Sequence, residues 1–172
     1  KKETVPIGDR SVDPRGRVGT YVEPGDWNAV IADPDVLLID TRNAFEVAFG
    51  TFEGAVDPGI ARFGDFPDWV RRTLDPQRHR RIAMFCTGGI RCEKASSFML
   101  EAGFDEVLHL KGGILGYLDE IDPSQSRWKG GCFVFDERVS LGHGLSPLGL
   151  RNCLSCDAPL DDAARAAPGY EE

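Results

Sequence analysis

Three short segments are apolar at nearly every position, and this pattern predicts buried strands. They lie at residues 36–40, 82–85 and 107–110. Nearly continuous apolar strands are typical of a parallel sheet that is covered on both faces. Two shorter segments, 18–22 and 52–56, are weaker strand candidates.

Amphipathic segments alternate with these strands and predict five helices. They span residues 24–31, 44–49, 66–74, 92–102 and 114–121. Pro24 falls in the first turn of the first segment, Asn43 is a candidate N-cap of the second, and Gly103 ends the fourth. Strands and helices that alternate at this spacing predict an α/β domain, in which crossover connections join parallel strands.

The chain has 172 residues, which fits one domain with additional terminal segments. Residues 1–17 are polar, contain Pro and Gly, and predict an N-terminal arm or linker. Residues 18–122 carry the strand and helix alternation. In residues 123–172 the pattern loosens after one late strand candidate at 132–136, so we expect an irregular, loosely ordered C-terminal extension.

Composition narrows the classes of protein that remain. Hydrophobic residues make up 41% and charged residues 28%, which indicates a globular chain. The net charge of -8 argues against a surface that binds nucleic acid throughout. No apolar run is long enough to predict a membrane span. The odd number of cysteines, five, without a signal sequence predicts thiols in a reducing, cytoplasmic compartment.

The segment after the strand at 82–85 carries the candidate chemistry. Cys86 follows the strand, and Arg91 opens the next helix. The loop residues between them are Thr87, Gly88, Gly89 and Ile90. Two glycines let the loop curl so that backbone amides point inward, which beside a helix N-terminus makes an anion site. Such a field favours a thiolate, so we expect a depressed pKa for Cys86, with Arg91 adding positive charge.

A Cys-x-x-x-x-Arg loop between a strand and a helix resembles the active-site loop of the rhodanese domain. Residues 38–42, 54–56 and 110–114 resemble further segments of that family. The resemblance implies a three-layer α/β fold with a central, mainly parallel sheet flanked by helices. It also implies that Cys86 accepts a sulfane sulfur and becomes a persulfide.

Longer segments resemble, more narrowly, the rhodanese-containing oxygen-dependent tRNA uridine hydroxylases, which make 5-hydroxyuridine at the wobble position. The matching segments lie at residues 19–22, 26–28, 40–43, 46–47, 50–52, 86–95 and 133–138. The resemblance implies an oxidoreductase that acts on tRNA, with Cys86 as the catalytic residue and molecular oxygen as co-substrate. That family carries a further domain ahead of the rhodanese part, and the chain begins at Lys1 without Met, so we interpret it as a fragment or a processed chain.

Three alternative functions stay open. A plain sulfurtransferase would take sulfur from thiosulfate or from the persulfide of a donor protein. A Cys-dependent phosphatase needs five residues between Cys and Arg, and the loop here is one residue shorter, which suits a sulfur atom better than a phosphoryl group. A non-catalytic docking module is disfavoured by the intact Cys86, because inactive rhodanese modules commonly lose that residue.

Three residues are predicted to support the loop. Asp40 and Arg42 lie at a strand end, where charge-assisted hydrogen bonds can tie adjacent loops together. In rhodaneses the corresponding acid helps to hold the active-site loop, so we expect Asp40 to orient it. Cys92 is either a resolving thiol for Cys86 or a packed residue at the start of the helix.

Five arginines and a Cys-x-x-Cys pair complete the candidate residues. The arginines are Arg71, Arg72, Arg78, Arg80 and Arg81. They form either a solvated surface or contacts to tRNA phosphates beside the active-site edge. Cys153 and Cys156 supply half of a tetrahedral zinc site, which Cys132 and His143 are candidates to complete. The sequence identifies no other cofactor, because it has neither a dinucleotide-binding fingerprint nor a ligand triad for iron.

Overall fold

A computed structural model describes residues 6–7, 16–153, 155 and 158–167 of the chain. Its main strands are β1 (Thr20–Val22), β2 (Val36–Asp40), β4 (Arg81–Phe85) and β5 (Glu106–Leu110), while β3 (Gly50–Phe52) lies outside the main sheet. The four main strands pair in the order β1-β5-β4-β2, and every pairing is parallel. The three strong strand predictions are therefore confirmed, with β4 at the centre.

Helices cover both faces of this sheet. They are α1 (Pro24–Ala32), α3 (Phe66–Thr73), α4 (Ile90–Glu101) and α5 (Gly113–Glu120). Two four-residue helices, α2 (Ala44–Val47) and α6 (Asp162–Arg165), contribute no residue to the hydrophobic cores on these faces. Side chains alternate along a strand, so Ile82 and Met84 of β4 pack with α3 and α4, whereas Ala83 and Phe85 pack with α1 and α5. Since all four side chains are fully buried, the predicted three-layer α/β fold is confirmed.

The strand predicted at 52–56 does not join the main sheet. β3 ends at Phe52 and pairs antiparallel with β6 (Trp128–Gly130), and Val56 makes only an isolated parallel bridge to Ile39. The ring of Phe52 is fully buried and makes edge contacts with Phe85, Tyr117 and Trp128. Aromatic packing therefore fixes β3 beside the sheet, which alternation of apolar residues alone did not indicate.

The C-terminal extension is more regular than its sequence predicts. Besides β6 it contains β7 (Cys132–Phe133), β8 (Ser140–Leu141), β9 (Arg151–Asn152) and β10 (Pro159–Leu160). β7 pairs with β8 and β9 with β10, all antiparallel. Trp128, Cys132 and Leu141 are buried, so parts of residues 128–141 pack against the domain. Strands of two or three residues are too short to show a detectable alternation.

The described part of the N-terminal arm also contributes to the core. Ile7 is 1% exposed and packs in the same cluster as Ile60, Phe63 and Phe66. This arm therefore anchors against the domain at Ile7 instead of acting only as a linker. Within the described residues, no helix has the length and apolar character needed to cross a membrane.

Candidate active site

Cys86 lies directly after β4, at the carboxyl edge of the central strand of the sheet. Open α/β sheets bind ligands at this edge. The side chain is 2% exposed and forms part of the floor of a cleft of about 680 Å³. The cleft is lined by Pro6, Asn43, Arg62, Phe63, Gly64, Asp65, Cys86, Thr87, Gly88, Ile90, Arg91 and Phe135. The buried thiol therefore borders this cleft beside the loop of residues 87–91.

The loop turns backbone amides toward the thiol. Gly89 has the left-handed backbone that glycine favours, with φ of 91°, and its N–H donates to Cys86 Sγ over 3.1 Å. The backbone N–H of Cys92 donates to the same sulfur. The first turn of α4 therefore supplies a hydrogen-bond donor to Cys86 in addition to the loop itself.

The N-terminus of α5 holds the carbonyl groups of the loop. Ile114 N donates to Cys86 O over 2.9 Å, and Leu115 N donates to Thr87 O over 3.1 Å. At Gly113, with φ of 63°, an added Cβ would lie 2.5 Å from both of these carbonyl oxygens. Close approach of α5 to the loop therefore requires glycine at position 113, and it fixes two loop carbonyls on the side of α5.

The surroundings shift the pKa values of Cys86 and Cys92 in opposite directions. A hydrogen bond from the Cys92 thiol, the charge of Arg91 and the two backbone amides outweigh burial and lower the pKa of Cys86 to about 6. Burial and the neighbouring Cys86 raise the pKa of Cys92 well above its ordinary value. Thr41 Oγ1 lies 3.6 Å from Cys92 Sγ. At neutral pH the pair is a Cys86 thiolate beside a Cys92 thiol that donates to it.

Glu46 is a functional residue that the sequence analysis missed. Both of its carboxylate oxygens accept hydrogen bonds from Arg91, at 2.7 Å each, and Oε2 also accepts from Asn43 N at 3.1 Å. Glu46 is fully buried, and Arg91 is 13% exposed. The positive charge of Arg91 is therefore balanced inside the site. The Asn-x-x-Glu spacing of a capping box at the start of α2 was the signal that could have identified Glu46.

The side-chain hydrogen bonds and the ion pair of Asp40 in the described residues go to Arg42 and Thr51, so its expected role in orienting the loop of residues 87–91 stays a prediction. Asp40 forms a fully buried ion pair with Arg42, at 2.6 Å, and accepts a hydrogen bond from Thr51. Arg42 in turn donates to the backbone oxygens of Glu46 and Gly50. This pair supports α2, and Glu46 of α2 in turn binds Arg91 at the end of the active-site loop.

The arginine cluster lies at the wrong end of the sheet to flank Cys86. β4 begins at Arg81 and ends at Phe85, directly before Cys86, so the strand separates Arg81 from Cys86 by roughly 16 Å. Arg81 is paired with Asp33 and Glu106. Arg71 and Arg72 lie in the last turn of α3, where both interact with Asp68. The expected position of this cluster beside the active-site edge is therefore wrong, because residues that precede a parallel strand lie at its amino edge.

The described residues supply only part of the proposed zinc site. Cys153 is described, and Cys156 lies outside the described residues. Cys132 is fully buried, and burial raises its pKa to about 12. Within the part of the chain that the structure describes, no group of three or more His, Cys, Asp or Glu side chains is placed to hold a metal ion. Zinc binding by Cys153 and Cys156 stays a prediction.

The sequence of this chain is similar to one family of domains and to two named relatives. A sequence model of the rhodanese-like domain family matches residues 23–120, which is more than half of the chain. A relative from Nitrobacter hamburgensis is 66% identical over 162 residues, covering 94% of this chain and 64% of the relative. A relative from Bradyrhizobium diazoefficiens is 68% identical over 145 residues, covering 84% of this chain and 57% of the relative. Both are named tRNA uridine(34) hydroxylase, and this chain spans less than two thirds of either.

A solved structure agrees with the fold. The NMR structure of a rhodanese-like domain from Anabaena superposes with a TM-score of 0.52 at 20% sequence identity. The match covers 64% of this chain and 78% of that domain. At this identity the similarity concerns the fold alone.

Proposed function

This chain belongs to the rhodanese-like domain family, and we propose that it supplies the catalytic thiol of a tRNA uridine(34) hydroxylase. In this proposal the substrate is the wobble uridine of tRNA, one atom of the co-substrate molecular oxygen enters the product 5-hydroxyuridine, and a two-electron donor reduces the other atom to water. Two relatives of that name support the proposal, because they are 66% and 68% identical to this chain over aligned regions that include the Cys86 loop and α4.

The observation that carries the proposal is the charge balance of the cleft around Cys86. Arg91 is neutralised by Glu46, and Arg62 at the rim is paired with Asp65 at 3.1 Å. Both arginines that line the cleft are therefore paired with carboxylates. A cleft of this kind suits a neutral, planar pyrimidine ring better than a phosphate dianion, which binds where cationic groups are available.

Each loop residue has a part in this proposal. Cys86 provides the reactive thiolate, and the amides of Gly89 and Cys92 stabilise negative charge on its sulfur. The same donors would stabilise a persulfide on Cys86. Arg91 lowers the pKa of Cys86 through its charge, and Glu46 holds Arg91 in place.

Nucleoside mass spectrometry of tRNA tests the proposal. A strain that lacks the intact gene is compared with the same strain after the gene is restored. We expect 5-hydroxyuridine and its derivatives to disappear with the gene and to return with it. Equal levels in both strains, in a background without another route to hydroxyuridine, would overturn the proposal.

A second candidate function is sulfur transfer. The low pKa of Cys86 and its inward amides suit a persulfide, with thiosulfate or a donor protein as the sulfur source. Because Arg91 is already paired, we expect thiosulfate, a dianion, to be a poor donor and a protein persulfide to be a better one. Thiocyanate formation from thiosulfate and cyanide by the purified protein measures this activity, and efficient turnover without tRNA hydroxylation would favour this function.

A further inference from the structure

Two large apolar side chains line the cleft while remaining exposed to solvent. Phe135 is 73% exposed and Ile90 is 60% exposed. Both belong to the residues that surround the opening to Cys86. Exposed apolar groups concentrated at a reactive thiol indicate a surface that becomes covered when a ligand binds.

Neighbouring rings hold Phe135 in place. Its ring lies 5.0 Å from that of Phe133 with an interplanar angle of 90°, and 6.2 Å from that of Phe45 with an angle of 81°. Phe133 is 7% exposed and also contacts Phe49, so the supporting rings are anchored in the domain. Edge-to-face packing therefore fixes the Phe135 ring while most of its surface stays accessible.

The turn that follows Phe135 is held in a strained conformation. Val139 has φ of 58°, which is rare for a β-branched residue. Val134 N donates to Val139 O over 2.8 Å, and Arg138 forms an ion pair with Asp136 at 2.6 Å. Strain of this kind persists only where the surroundings maintain it, and it occurs most often at functional sites.

We propose that Phe135 is the stacking platform that positions the uracil ring of the tRNA substrate over Cys86. This inference rests on the proposed function and names the residue that would recognise the base. An aromatic face binds a flipped-out or single-stranded base by stacking, which needs no charge. The paired arginines of the cleft and the exposed ring of Phe135 fit that ligand, and Ile90 supplies a second apolar contact at the opening.

The test compares three variants in the protein encoded by the intact gene. Phe135→Ala removes the ring, Phe135→Tyr keeps it, and Leu148→Ala removes another exposed apolar side chain that lies outside the cleft-lining residues. The probe is an anticodon stem-loop RNA with uridine at the wobble position. Three quantities are measured: the Kd for this RNA, the rate of Cys86 alkylation at pH 7, and the Tm.

We expect Phe135→Ala to raise the Kd at least fivefold, which is what one lost base-stacking contact costs. Phe135→Tyr and Leu148→Ala should bind like the wild type, and all three should keep the wild-type alkylation rate, while the Tm of each variant sets a temperature for the Kd measurement at which it is folded. An unchanged Kd for Phe135→Ala would overturn the inference. An increase in the Kd no larger than that of Leu148→Ala would also overturn it.

Failure of the proposed function gives a different pattern. If the restored gene leaves tRNA without hydroxyuridine while Phe135→Ala still weakens RNA binding, hydroxylation is wrong and base stacking stands. If hydroxyuridine returns equally with wild type and Phe135→Ala, and both bind the stem-loop alike, the function stands and the stacking role is wrong.

Discussion

Arg91 and Glu46 form a two-point ion pair that joins the active-site helix α4 to the short helix α2. Arg91 Nη1 and Nη2 lie 2.7 Å from the two carboxylate oxygens of Glu46, which is fully buried. Thr87 Oγ1 lies 3.4 Å from Glu46 Oε1 and 3.3 Å from Arg91 Nη2, so both ends of the loop meet at this pair. The loop is therefore held by this ion pair in addition to its hydrogen bonds with α5.

Glu46→Ala should destabilise the protein, because it leaves the Arg91 guanidinium without its buried partner. We expect a loss of about 3 kcal/mol in the free energy of unfolding, at the low end for such a deletion, since Arg91 keeps some access to water. Urea denaturation measures it. The control Glu101→Ala, at an exposed position at the end of α4, should change the free energy by less than about 0.5 kcal/mol. Equal effects of the two variants would contradict this role of Glu46.

Alkylation of Cys86 by iodoacetamide should follow a titration with its midpoint near pH 6, the value to which its surroundings lower its pKa. The thiolate is the reactive species, so the rate should rise as pH increases through 6 and fall as the group is protonated below it. Mass spectrometry of the Cys86 peptide measures the rate, and Cys86→Ser should abolish the fast phase. A midpoint near 9 would show that the loop does not stabilise the thiolate.

Cys92→Ala should shift that titration upward, because the hydrogen bond from the Cys92 thiol is the largest cause of the lowered pKa of Cys86. Cys92→Ser keeps a donor at the same position, so its midpoint should stay closer to that of the wild type. The same alkylation experiment measures both variants. Identical midpoints for Cys92→Ala and the wild type would remove Cys92 from the account of Cys86 reactivity.

Gly113→Ala should damage the active-site loop more than a positive φ alone explains. Its Cβ would lie 2.5 Å from the carbonyl oxygens of Cys86 and Thr87. Gly103 also has a positive φ, 92°, but nothing lies within 4 Å of a Cβ added there, so Gly103→Ala is the matched control. Backbone strain should lower the free energy of unfolding of both variants by about 1–2 kcal/mol. Only Gly113→Ala should slow the alkylation of Cys86. Equal slowing by both variants would contradict the close contact with α5.

The residues that the sequence identified correctly share a strong local pattern. The strand that ends at Phe85 is continuously apolar, and the glycine-rich loop that follows it places Cys86 at the carboxyl edge by the connectivity of the chain. The order of residues along the chain also determines the position of Arg81. It begins the same strand and therefore lies at the amino edge of the sheet, opposite Cys86.

Other features depend on contacts between distant segments, which leave no periodic signal. β3 pairs with β6, so the burial of Phe52 depends on Trp128, far along the chain. In the sequence, Phe135 is one of several aromatic residues in or near the strand predicted at 132–136. Its position in the cleft that contains Cys86 follows from the fold of the chain. The carboxylate that pairs with Arg91 is that of Glu46, which the short helix α2 places beside it, whereas Asp40 pairs with Arg42.

The most direct test of the central claim compares two cysteine variants in the intact gene. Cys86 is the thiolate of the cleft, whereas Cys132 is buried with its pKa raised to about 12, so Cys132→Ala makes the same chemical change away from the reactive thiol. Nucleoside mass spectrometry of tRNA from the two complemented strains should show no 5-hydroxyuridine with Cys86→Ala and near wild-type levels with Cys132→Ala. Wild-type hydroxyuridine with Cys86→Ala would contradict the claim that this thiolate performs the reaction.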